Sequence, residues 1–188
     1  MTATAAIKAP KEHYEYMMPN SGYSKKNNLF ILTPNSEKTL WKSKITPLTK
    51  SYAFKGSDLG DIPNDLLYLL EEIEKSKYIL DLQDDWDDEG SEGYKELSWA
   101  ASIRFLLKYA KTLYQDFNIE VQTPNIYPGP KGSIDILWKV ETYRLLVNIG
   151  KNGEDAMFYA DNYKDQISEG NFKIDQFNRF LLPIAIKS

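Results

Sequence analysis

Six carboxylates, those of Asp84, Asp85, Asp87, Asp88, Glu89 and Glu92, surround Trp86 within nine consecutive residues, and Glu96 follows. Acids at this density can hold a hard cation, share a proton in acid–base chemistry, attract a basic partner or stay solvated. Laid on the calcium-loop pattern, Asp85 takes the first position, Asp87 the third, Glu89 the fifth, Gly90 the sixth and Glu96 the twelfth. That set, Asp85, Asp87, Glu89 and Glu96, is the metal-binding alternative. Two features weigh against it. The fifth position carries the longer Glu, and the eighth carries Glu92 where such loops place an aliphatic that pairs with a second loop. A magnesium site for phosphodiester cleavage is the less supported reading, because two-metal sites gather ligands from several elements. Asp135 is the one acid at a strand end that could assist.

Elsewhere the composition removes mechanisms. With no cysteine in 188 residues there is no thiolate nucleophile, no disulfide frame and no zinc site built on sulfur. A single histidine, His13, lies in a stretch without helix or strand period, so a Ser-His-Asp triad would have to draw on it alone. Glycine-rich phosphate loops of the Walker or Rossmann type are missing. No cofactor is expected, and the chain is not expected to be an enzyme. No apolar run approaches the roughly 20 residues of a membrane helix, and the first residues lack the apolar core of a secretory signal. Absent cysteine and absent signal fit a cytoplasmic location.

Charge is distributed unevenly. Residues 1–56 hold nine lysines against three glutamates, residues 57–96 hold fourteen acids against three lysines, and the remainder is nearly balanced. The basic stretch interleaves aromatics, among them Tyr14, Tyr16, Tyr23 and Trp41, with Lys25, Lys26, Lys42 and Lys44. Lysines for phosphates and rings for bases make a nucleic-acid alternative, although no arginine precedes Arg104. The same aromatics suit a protein interface, where Tyr and Trp dominate hot spots.

The elements that must position these groups follow from period. Residues 1–58 read as a basic, aromatic-bearing extension, with a strand over "TLWKSKI", and residues 59–188 as an α+β domain. Leu66, Leu69, Leu70, Ile73 and Leu80 predict one helix over 63–82. Ser98 predicts the N-cap of a second, over 99–117, with Ala100, Ile103, Leu107, Ala110, Tyr114 and Phe117 as its apolar stripe and Asn118 as its left-handed stop. The period then switches to two. Ile134, Ile136 and Trp138 face inward on one strand, Tyr143, Leu145, Val147 and Ile149 on the next, and Asn152-Gly153 turns the chain into a third. "NIY" adds a fourth, and "IDQFNRFLLPIAI" suggests a short terminal helix. The expected fold is two helices followed by an antiparallel meander of three to four strands.

The stretch "LQDDWDDEG" resembles the "L…GWDGxGA" opening of a small, largely uncharacterised bacterial family. There the tryptophan loop is followed by a Ser-capped helix, a Pro-rich turn and a "dGxIxLxW" strand. Trp86, Asp87 and Gly90 match in the loop, Ser98 and Ala101 at the helix, Pro124 near the turn, and Gly132, Ile134, Ile136 and Trp138 in the strand. The resemblance covers roughly residues 78–162. Asp85 and Asp88 stand where the family commonly has glycine. The resemblance implies that Trp86, Asp87 and Gly90 serve local geometry, with Trp86 covering the bottom of the second helix, and it points loosely to mobile-element and defence neighbourhoods. The expectation is a non-catalytic accessory, antitoxin-like or immunity-like protein that binds another protein. Its contacts would be Tyr14, Tyr16, Tyr23 and Trp41, with Asp84, Asp85, Asp88, Glu89 and Glu92 as an acidic patch.

Overall fold

The computed structural model describes residues 48–88, 90–141, 144–164, 167–176 and 181. A β-hairpin comes first, β1 (Thr49–Phe54) and β2 (Ser57–Pro63), joined by Lys55-Gly56. Both turn residues have positive φ, 47° and 82°, which matches the tight turn that suits the twist of antiparallel strands. The hairpin straddles the point between residues 58 and 59 where the sequence suggests a boundary, and Tyr52 of β1 and Leu59 and Ile62 of β2 are buried in the common core.

The helix expected over 63–82 is three pieces. A 3-10 turn (Asn64–Leu66) precedes α1 (Leu69–Lys75), and a second 3-10 stretch (Ser76–Asp81) follows. Spacing explains the correction. The buried residues are Leu66, Leu69, Ile73, Ser76 and Ile79, and steps of three outnumber the single step of four, as the tighter helix requires. Ser76 tolerates burial because its hydroxyl donates to the Ile73 carbonyl at 2.7 Å and accepts the Trp99 indole N–H at 3.0 Å.

The long helix α2 (Glu96–Phe117) packs against β2 on one side and against β4 (Ile134–Lys139) and β5 (Arg144–Ile149) on another. One stripe is therefore too narrow a reading: Trp99, Phe105, Leu106, Tyr109 and Leu113 are buried together with the expected Ala100, Ile103, Leu107 and Ala110. Ser98 is not the N-cap. Lys95 holds that place, and Ser98, fully buried one turn in, donates its hydroxyl to the Lys95 carbonyl at 3.0 Å. Asn118 ends the helix in the left-handed region at φ 54°, as expected.

The sheet is a five-stranded antiparallel meander rather than one of three to four strands: β3 (Asn125–Pro128), β4, β5, β6 (Asp155–Asp161) and β7 (Ile167–Lys173), in that spatial order. Ile134, Ile136 and Trp138 face inward with Leu145, Val147 and Ile149, and with Ala156, Phe158 and Ala160. Trp138 anchors this face by donating its indole N–H to the Gln122 carbonyl at 2.9 Å. Ile174 to Gln176 form a turn after β7; the rest of the suggested terminal helix, Leu181 excepted, lies outside the described residues, as do Tyr143 and the strand suggested over "TLWKSKI". Among the described residues no helix is long and apolar enough to cross a membrane.

Candidate functional site: an acidic loop with exposed aromatic rings

Between Leu82 and Tyr94 the chain makes a closed loop, tied at its neck by the Tyr94 N–H donating to the Leu82 carbonyl at 3.3 Å. The aspartates build it. Asp84 accepts the Gly93 N–H at 2.7 Å and Asp85 the Gly90 N–H at 2.7 Å. Asp87 accepts both the Ser91 N–H at 3.2 Å and the Ser91 hydroxyl at 2.5 Å. A carboxylate that accepts backbone N–H groups satisfies donors that a loop would otherwise leave open. Three residues sit in the left-handed region: Asp85 at φ 63°, Asp88 at 58° and Gly90 at 80°. Asp is one of the few residues besides glycine that adopt it readily.

Gly93 is needed for another reason. A Cβ there would stand 2.9 Å from the Leu82 oxygen, 3.0 Å from the Gln83 carbonyl carbon and 3.1 Å from the Asp84 nitrogen, all backbone atoms. Gly93→Ala is therefore expected to lower stability by about 1–3 kcal/mol, as overpacking does. Chemical denaturation checks this, and a midpoint equal to wild type would contradict the close approach.

Asp84 and Asp85 are exposed even while they accept the loop N–H groups, and Asp88 is exposed too; Glu92 pairs with Lys151 at 2.9 Å, and Glu96 pairs with Lys55 at 2.8 Å. Among the described residues no three acidic or histidine side chains gather into a group that could hold a metal ion. Of the suggested ligands, Asp85 and Asp87 are turned to loop N–H groups and Glu96 to a lysine. Glu89 lies outside the described residues, as do Tyr14, Tyr16, Tyr23, Trp41, Lys25, Lys26, Lys42, Lys44 and His13.

Trp86 is 40% exposed, and its ring centroid lies 6.2 Å from that of Tyr94, two residues before α2, in a tilted pair. Tyr94 is buried and donates its hydroxyl to the Gly129 carbonyl at 2.6 Å, which pins the loop to the turn between β3 and β4. Burial first, then the nearby Asp135 and Asp87 charges, pushes the Tyr94 phenol up from its ordinary value. Tyr78, 47% exposed, sits in the second 3-10 stretch, which packs against β3, the strand of Tyr127; burial raises its phenol, with Tyr127 and Glu72 adding to the effect. Tyr127, 44% exposed, stands opposite Asp135 in the β3–β4 register. Trp86 is partly exposed on a loop rich in carboxylates, and Tyr78 and Tyr127 are half-exposed on the 3-10 stretch and the strand that adjoin it.

Below the rings is a polar cluster on the outer face of the sheet. Asn148 donates to Asp135 at 2.6 Å and to the Ser133 hydroxyl at 2.7 Å. Burial raises the Asp135 carboxyl from its ordinary value, with the Asn148 hydrogen bond opposing it. A raised value means that the folded state prefers the protonated form. Ionised Asp135 therefore subtracts stability at neutral pH, and the penalty fades as pH falls through the raised value toward the ordinary one. Asp135→Asn keeps an acceptor for Asn148 and removes the charge. It is expected to raise the melting temperature at neutral pH, with a gain that shrinks on acidification; a gain independent of pH would contradict the assignment.

Sequence reasoning located the loop, Asp87, Gly90 and Trp138 but missed Tyr78, Tyr94 and Tyr127. Period-two reading offered one signal: in "NIY", Ile126 faces inward, so Tyr127 must face out. Among the described residues the arrangement presents aromatic rings and negative charge. Comparison of the chain with protein-family models, with curated proteins and with solved structures gives no match.

Proposed function

We propose that this protein is a non-catalytic binding component, an accessory of the antitoxin-like or immunity-like kind acting in the cytoplasm. It holds a basic segment of another protein on the surface formed by Trp86, Tyr78 and Tyr127 with Asp84, Asp85, Asp88 and Glu92. One observation carries the reading: the loop is fixed by three aspartate caps and yet leaves Trp86 at 40% exposure. A ring held rigid at the surface loses little entropy on binding, and carboxylates beside it favour lysine and arginine through charge and cation–π contact. The left-handed φ of Asp85 and Asp88 supports the proposed kinship with the tryptophan-loop family, because glycine is common there at those two positions.

The test neutralises the loop without unbuilding it. Asn and Gln keep the acceptor oxygens, so Asp84→Asn, Asp85→Asn, Asp88→Asn and Glu92→Gln together remove the charge and keep the loop's N–H acceptors, losing only the exposed Glu92–Lys151 ion pair. Proteins captured from host lysate by the wild type are expected to be lost by this variant and to elute with moderate salt. Equal capture by both would overturn the proposal.

A further inference from the structure

The two edges of the sheet differ. At one edge β3 is four residues long, ends in Pro128, and its Ile126 N–H is accepted by Glu72 of α1 at 3.0 Å. Short length, proline and a side-chain cap are devices that stop an edge from pairing with another chain. At the other edge β7 is seven residues long, pairs with β6 in unbroken register, and contains no proline. Among the described residues no strand lies beyond it.

The hydrogen-bond parity of β7 can be read from its ends. The Ile174 N–H donates to the Glu154 carbonyl at 3.0 Å, in line with the β6–β7 register. In an antiparallel pair, bonded and non-bonded residues alternate. Ser168, Gly170 and Phe172 therefore bond to β6, while Ile167, Glu169, Asn171 and Lys173 direct their N–H and C=O groups to the free edge.

We propose that β7 is the docking edge for a second copy of this chain, paired antiparallel about a two-fold axis at Asn171. In that register Glu169 of each copy stands opposite Lys173 of the other, on the outer face of the sheet, where Lys173 also holds Asp155 of its own chain at 2.6 Å. On the inner face Phe172 covers Gly170 of the other copy. Gly170 has no room for a side chain of its own, since a Cβ would meet the Phe158 ring at 3.0 Å. Shifting the axis to Gly170 sets Glu169 against Asn171, and shifting it to Glu169 or Phe172 sets Glu169 against itself or against Asp175. The axis at Asn171 alone among these matches opposite charges, and opposite charges directly across a sheet attract. The two sheets join into one, with the acidic surfaces at its two far ends.

Sedimentation of the full chain tests this. Wild type is expected at twice the 21.7 kDa of one chain. Glu169→Lys and Lys173→Glu are each expected to weaken self-association about tenfold or more, and an equimolar mixture of the two to recover it, because the mixed pair alone matches charges. Asn171→Pro removes an N–H that faces outward and so spares the β6–β7 ladder. It is expected to give a folded monomer, with folding checked by melting. A monomeric wild type at the highest soluble concentration overturns the proposal. So does a dimer indifferent to both Glu169→Lys and Asn171→Pro.

Discussion

Trp99→Ala is expected to cost about 3–5 kcal/mol, the range for deleting a buried aromatic. The total stability of a domain is about 5–15 kcal/mol, so much of the population would unfold. Trp99 is fully buried at the start of α2, where three elements meet. Its ring lies 4.7 Å from Phe54 of β1, and its indole N–H reaches Ser76 in the 3-10 stretch at 3.0 Å. Removing it opens a cavity and leaves the hairpin, the 3-10 stretch and α2 without their common contact. A urea-derived unfolding free energy lowered by less than about 1 kcal/mol would show that these elements hold together by other means.

Trp86→Ala is expected to behave in the opposite way. Its ring is 40% exposed and the loop closes through aspartates, so stability should move by no more than about 1 kcal/mol. Partner affinity should fall by about 2 kcal/mol or more, roughly thirtyfold, as for an aromatic hot spot. A fall in affinity with unchanged melting separates a contact residue from a structural one. Unchanged affinity would place the contact elsewhere.

The contrast between these tryptophans also marks how far the sequence could be read. The strands β4 to β6 were legible because one face is buried and the apolar residues alternate; Asn152-Gly153 fixed their turn. β7 was not legible, since "ISEGNFK" has a glycine at an inward position and little apolar alternation. The first hairpin turns on Lys-Gly, a weaker signal than Asn-Gly, and its strands carry only Tyr52, Leu59 and Ile62 as buried large residues. Trp99 fell off the stripe assigned to α2 because that helix is covered on two sides. Ser98 had the right residue type for a cap, but the chain turns helical earlier, at Glu96. In the loop, the aspartates were legible as a cluster while their bonds to Gly90, Ser91 and Gly93 depend on a backbone path that spacing alone does not give. The Tyr78–Tyr127 neighbourhood joins residues distant in the chain, and no local pattern contains it.

The central claim is that the ring-and-carboxylate surface takes a basic segment. Its most direct test is tryptophan emission of the full chain during titration with a lysine- and arginine-rich peptide, at low and at moderate salt. Trp99 and Trp138 are buried, so Trp86→Phe supplies the blank for the loop. The account predicts a saturable shift that weakens with salt and disappears in both Trp86→Phe and the charge-neutralised loop. A flat response at low salt, or a shift that survives in Trp86→Phe, would contradict it.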